Sequence, residues 1–308
     1  MITVLTPSYN RAYILPKLYE SLKNQTSKDF EWIIIDDGSS DETENLVNKW
    51  IGKKELFRIS YIKQENGGKH RALNCGVRIA RYDYCFIVDS DDYLTLNAID
   101  CVCSWIKTID DNNSFAGVSG LRAYIGGGRI GKYPKDKAYV KYIDATNLQR
   151  QSFNLSGDKS EVYRTKILCK YPFPEFQGEN FITEDVVWDA IASDGYKLRW
   201  FNEIIYMCEY IDDGLTQMGD KKFIDNFKGY TYTVRQKIVL NGFLVRKYAI
   251  GRYVSLSKNK GFKLKDAAQE LNVSLKETLF SSLIWNVKEI IKRPKKLIIS
   301  KLNVKSKI

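Results

Sequence analysis

Residues that bind zinc are scarce in this chain of 308 residues. It has one histidine, His70, and none of its six cysteines forms a Cys-x-x-Cys pair. This scarcity argues against a zinc site. Most of the cysteines stand in apolar surroundings, which favours reduced thiols in the core of a cytosolic protein over disulfides.

Long apolar runs are also missing. The first seven residues lack the basic start and the apolar stretch of a signal peptide. No run approaches the roughly 18 apolar residues of a membrane span. We therefore expect a cytoplasmic protein without a transmembrane segment.

Positive charge is concentrated near the C terminus. Residues 221–308 contain 21 Lys and Arg against 5 Asp and Glu, a balance of +16, whereas residues 1–220 balance to −5. Cations mixed with Leu, Ile and Trp favour a helix at an anionic membrane surface. A solvated helical face is the alternative that needs no function. A nucleic-acid surface would show a binding motif, and the sequence has none.

Short apolar segments alternate with helical patterns up to about residue 215. This rhythm predicts an α/β fold with a mostly parallel sheet and crossover helices. The nearly continuous apolar strands indicate a sheet that is covered on both faces. We expect an α/β domain at residues 1–215 and a basic, mainly helical extension at residues 216–308. The predicted strands are Ile2–Leu5, Glu31–Ile35, Arg58–Ile62, Tyr84–Val88 and Glu161–Arg164, with helices over 69–80, 165–170 and about 181–193.

Three carboxylates follow the strand that ends at Val88: Asp89, Asp91 and Asp92, with Ser90 between them. Clustered carboxylates at the carboxyl end of a strand suit a hard divalent cation whose other ligands are substrate phosphates. Open α/β sheets bind ligands at these strand ends. The cluster therefore predicts a metal site beside a nucleotide diphosphate, and a solvated turn that caps the next helix is the alternative.

Three further loops stand after strands or at a helix start. Thr6–Arg11 offers backbone amides and a tyrosine ring to a base, and Asp36 and Asp37 can accept hydrogen bonds from a base or a ribose. Lys69 follows two glycines at a helix start, where a cation can face phosphate oxygens. Each loop alone is an ordinary turn or cap. Together, as strand exits of one sheet, they would converge on one cleft.

The segment Gly126–Gly131 matches G-x-G-x-x-G, the pattern of a dinucleotide site. It opens no helix, and Pro134 follows shortly afterwards. We therefore predict a hairpin or a loop there rather than a dinucleotide site.

The order of these motifs resembles that of the inverting nucleotide-sugar glycosyltransferases of family 2, which have the GT-A fold. The similarity covers roughly residues 1–210, and the set of motifs is specific. It rests on Val4–Arg11, Ile33–Ser39, Asn66–Lys69 with Ala72–Asn74, Val88–Asp92 and Thr183–Asp185.

The resemblance implies a role for each matched position. Thr6, Tyr9 and Asp37 would hold the base and ribose, with Lys69 near the base or the diphosphate. Asp89 and Asp91 would form a DxD element that binds ribose and a Mn²⁺ or Mg²⁺ ion. Asp185 would be the general base, and Glu184 would orient the acceptor or the base. The complete predicted site is Asp185 and Glu184 for catalysis, Thr6, Pro7, Tyr9, Arg11, Asp36, Asp37, Lys69, Asp89 and Ser90 for the nucleotide, and Asp91, Asp89 and Asp92 for the metal.

The implied reaction moves one sugar from a nucleotide-diphosphate sugar, expected to be a UDP-sugar, to a hydroxyl of a glycan or lipid-linked saccharide in cell-surface polysaccharide synthesis. Processive members of the family carry Gln-x-x-Arg-Trp and membrane spans. The segment Lys197–Trp200 lacks the Gln, so transfer of a single sugar is predicted. We expect the protein at the inner face of the plasma membrane, with its basic extension on anionic lipid and without a nucleic-acid partner.

Two other functions remain open. A catalytically degenerate GT-A protein would bind a glycolipid or a partner without turnover, although intact Asp89, Asp91 and Asp185 argue against it. A sugar-nucleotide pyrophosphorylase would show a glycine-rich phosphate loop near the first strand, and Thr6–Asn10 is not such a loop.

Overall fold

A computed structural model describes residues 1–134, 141–209, 214 and 217–305, with side chains up to residue 291. The chain divides into two compact units, Met1–Gln217 and Met218–Ile308. The domain boundary predicted from the sequence, between residues 215 and 216, lies outside the described residues.

The first unit contains one mixed sheet. Among the described residues its strands are β1 Ile2–Ser8, β2 Phe30–Asp36, β3 Arg58–Lys63, β4 Tyr84–Ile87, β5 Tyr93–Leu94, β6 Phe115–Tyr124, β7 Tyr142–Ala145, β8 Lys159–Arg164 and β9 Lys197–Cys208. Their order across the sheet is β3-β2-β1-β4-β8-β6-β9-β5, and β7 pairs with β9. The strands β1 to β4, β6 and β9 share one direction, whereas β5, β7 and β8 run opposite to them.

Helices cover both faces of the sheet. They are α1 Leu15–Lys23, α2 Thr43–Ile51, α3 Lys69–Ile79, α4 Ala98–Ile106, α5 Thr165–Lys170 and α6 Asp185–Ser193, with a 3-10 turn at Asn147–Gln149. Side chains of α1, α2 and α4 form one core, and those of α3, α5 and α6 form the other. Successive residues of β2 enter opposite cores, Trp32 the first and Ile33 the second. This burial on both faces explains the nearly continuous apolar strands and confirms the predicted α/β fold.

The first strand is longer than predicted. Its register with β2 continues to the pair Ser8 and Asp36, so Thr6 and Pro7 belong to the strand and the loop begins only at Tyr9. The loop prediction for Thr6–Ser8 is therefore wrong, because pairing with β2 extends β1 beyond its apolar run.

The hairpin predicted at Gly126–Gly131 is confirmed. Tyr124 O accepts a hydrogen bond from Gly127 N–H at 3.1 Å, and Gly128 O accepts one from Tyr124 N–H at 3.0 Å. Gly126, Gly127 and Gly128 all have positive φ, between +89° and +108°, a conformation that glycine adopts without a steric penalty.

The second unit is helical where it is described, as the sequence predicts. Its helices are α7 Lys221–Asp225, α8 Phe227–Leu240, α9 Phe243–Ser257, α10 Leu264–Glu270 and α11 Leu275–Lys305, with a 3-10 turn at Lys258–Lys260. Tyr230, Ile250, Tyr253 and Ala267 lie in its core. None of the helices in the described part of the chain has both the length and the apolar character that crossing a membrane requires.

Candidate active site

The ends of three adjacent parallel strands lie along one edge of the sheet. β1 lies between β2 and β4, so the residues that follow these strands, Tyr9, Asp37 and Asp89, are neighbours along that edge. Ligands bind at such strand ends in α/β sheets. The fold thus brings together the loops that follow β1, β2 and β4, as expected from their positions at the strand ends of one sheet.

Lys69 connects the acidic cluster after β4 to the Glu-Asp pair at the start of α6. Its Nζ forms an ion pair with Asp89 and lies 2.6 Å from Glu184 Oε1. Burial alone would lower the pKa of Lys69, but the two carboxylates raise it well above its usual range. The ammonium group therefore stays charged and holds together two segments that are far apart in the sequence.

Within the acidic cluster the three carboxylates differ in their surroundings. Burial would raise the pKa of Asp89, but Lys69 and Arg122 lower it. Burial and the charge on Asp89 raise the pKa of Asp91, and burial with both neighbouring carboxylates raises that of Asp92 to about 7. Burial is thus the main cause of both raised pKa values, and the charges of the neighbouring carboxylates add to it.

Arg122, in β6, is a member of this site that sequence reasoning missed. Its Nη1 lies 3.6 Å from Asp89 Oδ2 and 3.9 Å from Asp92 Oδ2. Its Nε donates a hydrogen bond to Lys159 O at 2.8 Å, and its guanidinium carbon lies 4.1 Å from the centre of the Tyr206 ring. The available signal was a single arginine at the end of an otherwise buried, mostly apolar strand.

Two further hydrogen bonds hold the cluster against the C-terminal end of β9. Asp89 N–H donates to the Tyr206 hydroxyl at 2.9 Å, and Asp92 Oδ1 accepts from Glu209 N–H at 3.1 Å. Ser90, predicted beside the nucleotide, is buried between them. The end of β9 thus holds the acidic turn in place.

The Asp37 carboxylate organises the glycine turn before Lys69. Its Oδ1 accepts hydrogen bonds from Gln64 Nε2 at 2.7 Å and Gly67 N–H at 3.0 Å, and its Oδ2 accepts one from Gly68 N–H at 2.7 Å. A carboxylate has about four acceptor positions. The predicted contact of Asp37 with a base or a ribose would use the fourth.

The loop before α6 lies directly against the start of α3. Arg71 Nη2 donates to Phe176 O at 2.8 Å. Gly68 has a φ of +95°, and a Cβ added there would lie 1.8 Å from Asn180 O. The close approach requires glycine at this position and sets the distance between Lys69 and the residues that lead to Glu184.

The side chains of Thr6 and Asp36 take part in the fold itself. Both are fully buried. Thr6 Oγ1 accepts a hydrogen bond from Trp32 Nε1 at 3.0 Å. Asp36 Oδ1 accepts one from Ser39 N–H at 2.7 Å, and its Oδ2 accepts another from the Tyr61 hydroxyl. They fix the ends of β1 and β2.

The loop from Tyr9 to Arg11 is tied to the exit of β2. Asn10 N–H donates to Ser39 Oγ at 2.8 Å. Arg11 Nη1 donates to the Tyr13 hydroxyl at 3.2 Å. Tyr9 is exposed, so its ring is accessible to a flat ligand such as a base. Pro7 lies further back, within β1.

Glu184 and Asp185 stand at the start of α6. Glu184 occupies the N-cap position and Asp185 is the first residue of the helix. Negative side chains are favourable there because of the helix dipole. Through Glu184 and Lys69, the start of α6 joins the edge of the sheet that carries the acidic cluster.

A model of the family described as glycosyl transferase family 2 matches residues 3–168, more than half of the chain. The chain belongs to glycosyl transferase family 2. The matched range includes the strand-exit loops, Lys69 and the acidic cluster, but it ends before Glu184 and Asp185. In this family 2 protein the contact of Lys69 with Glu184 joins the start of α6 to the acidic cluster.

Relatives of this family 2 protein include a glycosyltransferase and a synthase whose names refer to polymers. The poly(ribitol-phosphate) β-N-acetylglucosaminyltransferase TarP of Staphylococcus aureus is 35% identical over 117 residues, which are 37% of this chain and 34% of TarP. The chondroitin synthase of Pasteurella multocida is 35% identical over 108 residues, which are 35% of this chain and 11% of the synthase. The alignments thus span about a third or less of these relatives.

Solved structures show the same fold. The S. aureus TarS 1–349 complex with UDP-GlcNAc has a TM-score of 0.61 at 18% identity and covers 90% of this chain and 77% of that one. The mannosyltransferase PcManGT of Pyrobaculum calidifontis, in complex with GDP-Man and Mn²⁺, has a TM-score of 0.55 at 17% identity and covers 97% and 83%. The family 2 protein therefore has the GT-A fold that the sequence predicts.

The acidic cluster suits a metal ion that is shared with a ligand. Within the described ranges, no group of three or more His, Cys, Asp and Glu side chains is arranged to hold a metal by itself. Mg²⁺ commonly takes one or two carboxylates, and substrate phosphates complete its shell. Burial and the neighbouring charge of Asp89 raise the pKa of Asp91, and a bound cation would offset both effects.

Proposed function

We propose that this protein is an inverting glycosyltransferase that moves one sugar from a nucleotide-diphosphate sugar to a hydroxyl of a glycan or lipid-linked saccharide. A UDP-sugar is the proposed donor, and cell-surface polysaccharide synthesis is the proposed process. The observation that carries the proposal is the Lys69 contact with both Asp89 and Glu184. It joins a carboxylate of the donor site to the pair that would receive the acceptor.

In the proposed reaction, Asp185 acts on the acceptor, whereas Lys69 and the metal ion act on the leaving diphosphate. Asp185 takes the proton of the acceptor hydroxyl as that oxygen attacks the anomeric carbon. The bond from the anomeric carbon to the diphosphate breaks on the opposite face, so the configuration inverts. Lys69 lies where a leaving diphosphate gains negative charge, which a fixed cation stabilises. Mn²⁺ or Mg²⁺ held by Asp91 and Asp89 would supply further positive charge to the same leaving group.

Transfer of a single sugar is part of the proposal. In the segment Lys197–Trp200, which lacks the Gln of the processive motif, the side chains pair with β7. Arg199 makes two hydrogen bonds to Asp144, both 2.8 Å long, and Trp200 Nε1 donates to Ala145 O at 2.9 Å. These residues support the pairing of β7 with β9. Long polymer products from the purified protein would contradict this part.

We place the protein at the inner face of the plasma membrane. A lipid-linked acceptor would lie there, and the balance of +16 in residues 221–308 favours an anionic surface. The side chains of Lys292–Lys296, which belong to this basic segment, lie outside the described residues.

Donor binding followed by product analysis tests the proposal. Thermal shift with UDP-, GDP- and TDP-sugars in the presence of Mn²⁺ identifies the donor, and NMR of the product gives the anomeric configuration. Asp91→Ala should lose metal-dependent donor binding. The absence of nucleoside diphosphate release with every donor and acceptor pair would overturn the proposed activity.

A further inference from the structure

Among the described residues, one face of helix α11 packs within the second unit and another is exposed. One face lies against α9, where Thr278 and Ser281 are fully buried. At the closest approach, a Cβ added to Gly251 would lie 2.4 Å from Ser281 O. Arg246 and Lys247 of α9 hold Glu277 of α11 at 2.6 and 2.5 Å. These contacts fix the orientation of α11.

The other face of α11 is exposed and apolar. It carries six apolar residues that follow one another at intervals of one, three or four positions in the sequence. Residues with this spacing form one stripe on a helix. Each exposes between 48% and 63% of its surface. The ring of Phe243, at the start of α9, lies 6.4 Å from that of Phe280 and extends the stripe. We call this surface the apolar face: Phe243, Leu279, Phe280, Leu283, Val287, Ile290 and Ile291.

The geometry points to an anionic lipid bilayer as the occupant of the apolar face. Contiguous apolar surface of this kind marks an interaction site. A bilayer interface accepts apolar side chains to a depth of about 5–10 Å while its headgroups attract cations beside them. The inference rests on the membrane location within the proposed function and assigns that location to a surface.

The positive charge of the second unit favours an anionic bilayer over a second copy of the chain as the occupant of the apolar face. Residues 221–308 balance to +16, and the acidic Glu277 is already paired with two cations. Beyond Ile291 the sequence adds seven Lys and Arg and no Asp or Glu. Two such units face to face would repel each other, whereas anionic headgroups attract each cation near the surface.

The experiment compares three exposed apolar residues on the face with three elsewhere. One variant of the full chain combines Leu283→Ser, Val287→Ser and Ile290→Ser. The matched control combines Leu56→Ser, Leu96→Ser and Val239→Ser, which are as exposed or more so. Both remove three aliphatic side chains without changing charge. Flotation uses phosphatidylcholine vesicles with and without phosphatidylglycerol.

We expect the parent and the control to float with phosphatidylglycerol vesicles, and the face variant to lose binding by at least about tenfold, because three apolar side chains no longer leave water. Equal flotation of the face variant and the parent would overturn the inference. So would equal binding of the parent to both vesicle types, or no binding to either. A parent dimer that the face variant dissociates, measured by sedimentation velocity, would make a second copy the occupant.

Donor binding by the same variants separates this surface from the proposed activity. The face variant should bind the nucleotide sugar as the parent does, which also shows that it is folded. If the parent floats but releases no nucleoside diphosphate, the activity fails and the surface stands. If the parent transfers sugar and the face variant floats normally, the surface fails and the activity stands.

Discussion

Lys69 Nζ lies 2.6 Å from Glu184 Oε1 while it is also paired with Asp89. One cation therefore neutralises a carboxylate on the donor side and another on the acceptor side of the proposed site. A diphosphate that enters brings negative charge of its own and competes with both carboxylates for Lys69. Donor binding would thus release Glu184 toward the acceptor.

Replacement of this cation should affect metal and donor in opposite directions. Lys69→Met should tighten Mn²⁺ binding to the donor-free protein by at least about tenfold, because a charge that opposes the ion is removed. It should weaken donor binding, because the diphosphate loses its cation. Lys69→Arg keeps the charge and should leave Mn²⁺ affinity nearly unchanged. Calorimetric titration measures both ligands, and equal Mn²⁺ affinities for Lys69→Met and the parent would contradict the expectation.

Arg122 should matter for stability as well as for the site. Its side chain is mostly buried against Asp89, Asp92 and Tyr206. Arg122→Met would leave Asp89 with Lys69 alone and would remove the cation beside the buried Asp92, so it should lower the free energy of unfolding by about 3 kcal/mol. Urea unfolding followed by tryptophan fluorescence measures this, since five of the six tryptophans lie in residues 1–217.

The control for this prediction is Arg58→Met. Arg58 is exposed and donates only to Ser60 Oγ, at 3.1 Å, among its described contacts. Its loss should cost less than about 1 kcal/mol. Similar costs for the two variants would show that the Arg122 contacts with the acidic cluster contribute little.

The strands and helices predicted most accurately are those whose pattern is decided locally. β2, β3, α3 and α5 begin and end within about one residue of the prediction. β2 is buried along its whole length, β3 is half-buried between two exposed end residues, and α3 buries one stripe, and each of these leaves a local pattern of apolar residues. The short strands β5 and β7 were not predicted. Each is defined by antiparallel pairing with β9, a distant segment, and two to four residues carry too little pattern of their own.

The site was predictable to the extent that its residues stand at strand ends. The convergence of Tyr9, Asp37 and Asp89 follows from parallel pairing alone. The part played by Arg122 does not, because it depends on β6 lying between β8 and β9. The hydrogen bonds of Asp37 to the glycine turn depend likewise on where β3 places the chain.

Replacement of Asp185, the proposed general base, should lower the rate of sugar transfer without changing donor binding. Asp185→Asn should retain donor affinity but lower the rate of transfer by about a hundredfold or more, because an amide cannot take the proton of the acceptor hydroxyl. Asp194→Asn is the control, since Asp194 follows the other end of the same helix and is exposed. Transfer at the parent rate in Asp185→Asn would assign the base elsewhere, with Glu184 tested next.

The second unit should lose stability in acid through Glu277. Arg246 and Lys247 lower the pKa of Glu277 to about 2, below its usual value of about 4.3 when unfolded. A lowered pKa adds stability above about pH 4.3, and this contribution is lost as the pH falls towards 2. The difference in melting temperature between the parent and Glu277→Gln should therefore be constant near neutral pH and shrink as the pH falls from about 4.3 towards 2.

The control is Glu270→Gln, which removes an exposed partner of Arg235 and should show a small difference in melting temperature from the parent at every pH. Calorimetry between pH 7 and 2 measures both, and a difference for Glu277→Gln that does not narrow in acid would show that the ion pairs do not stabilise the unit.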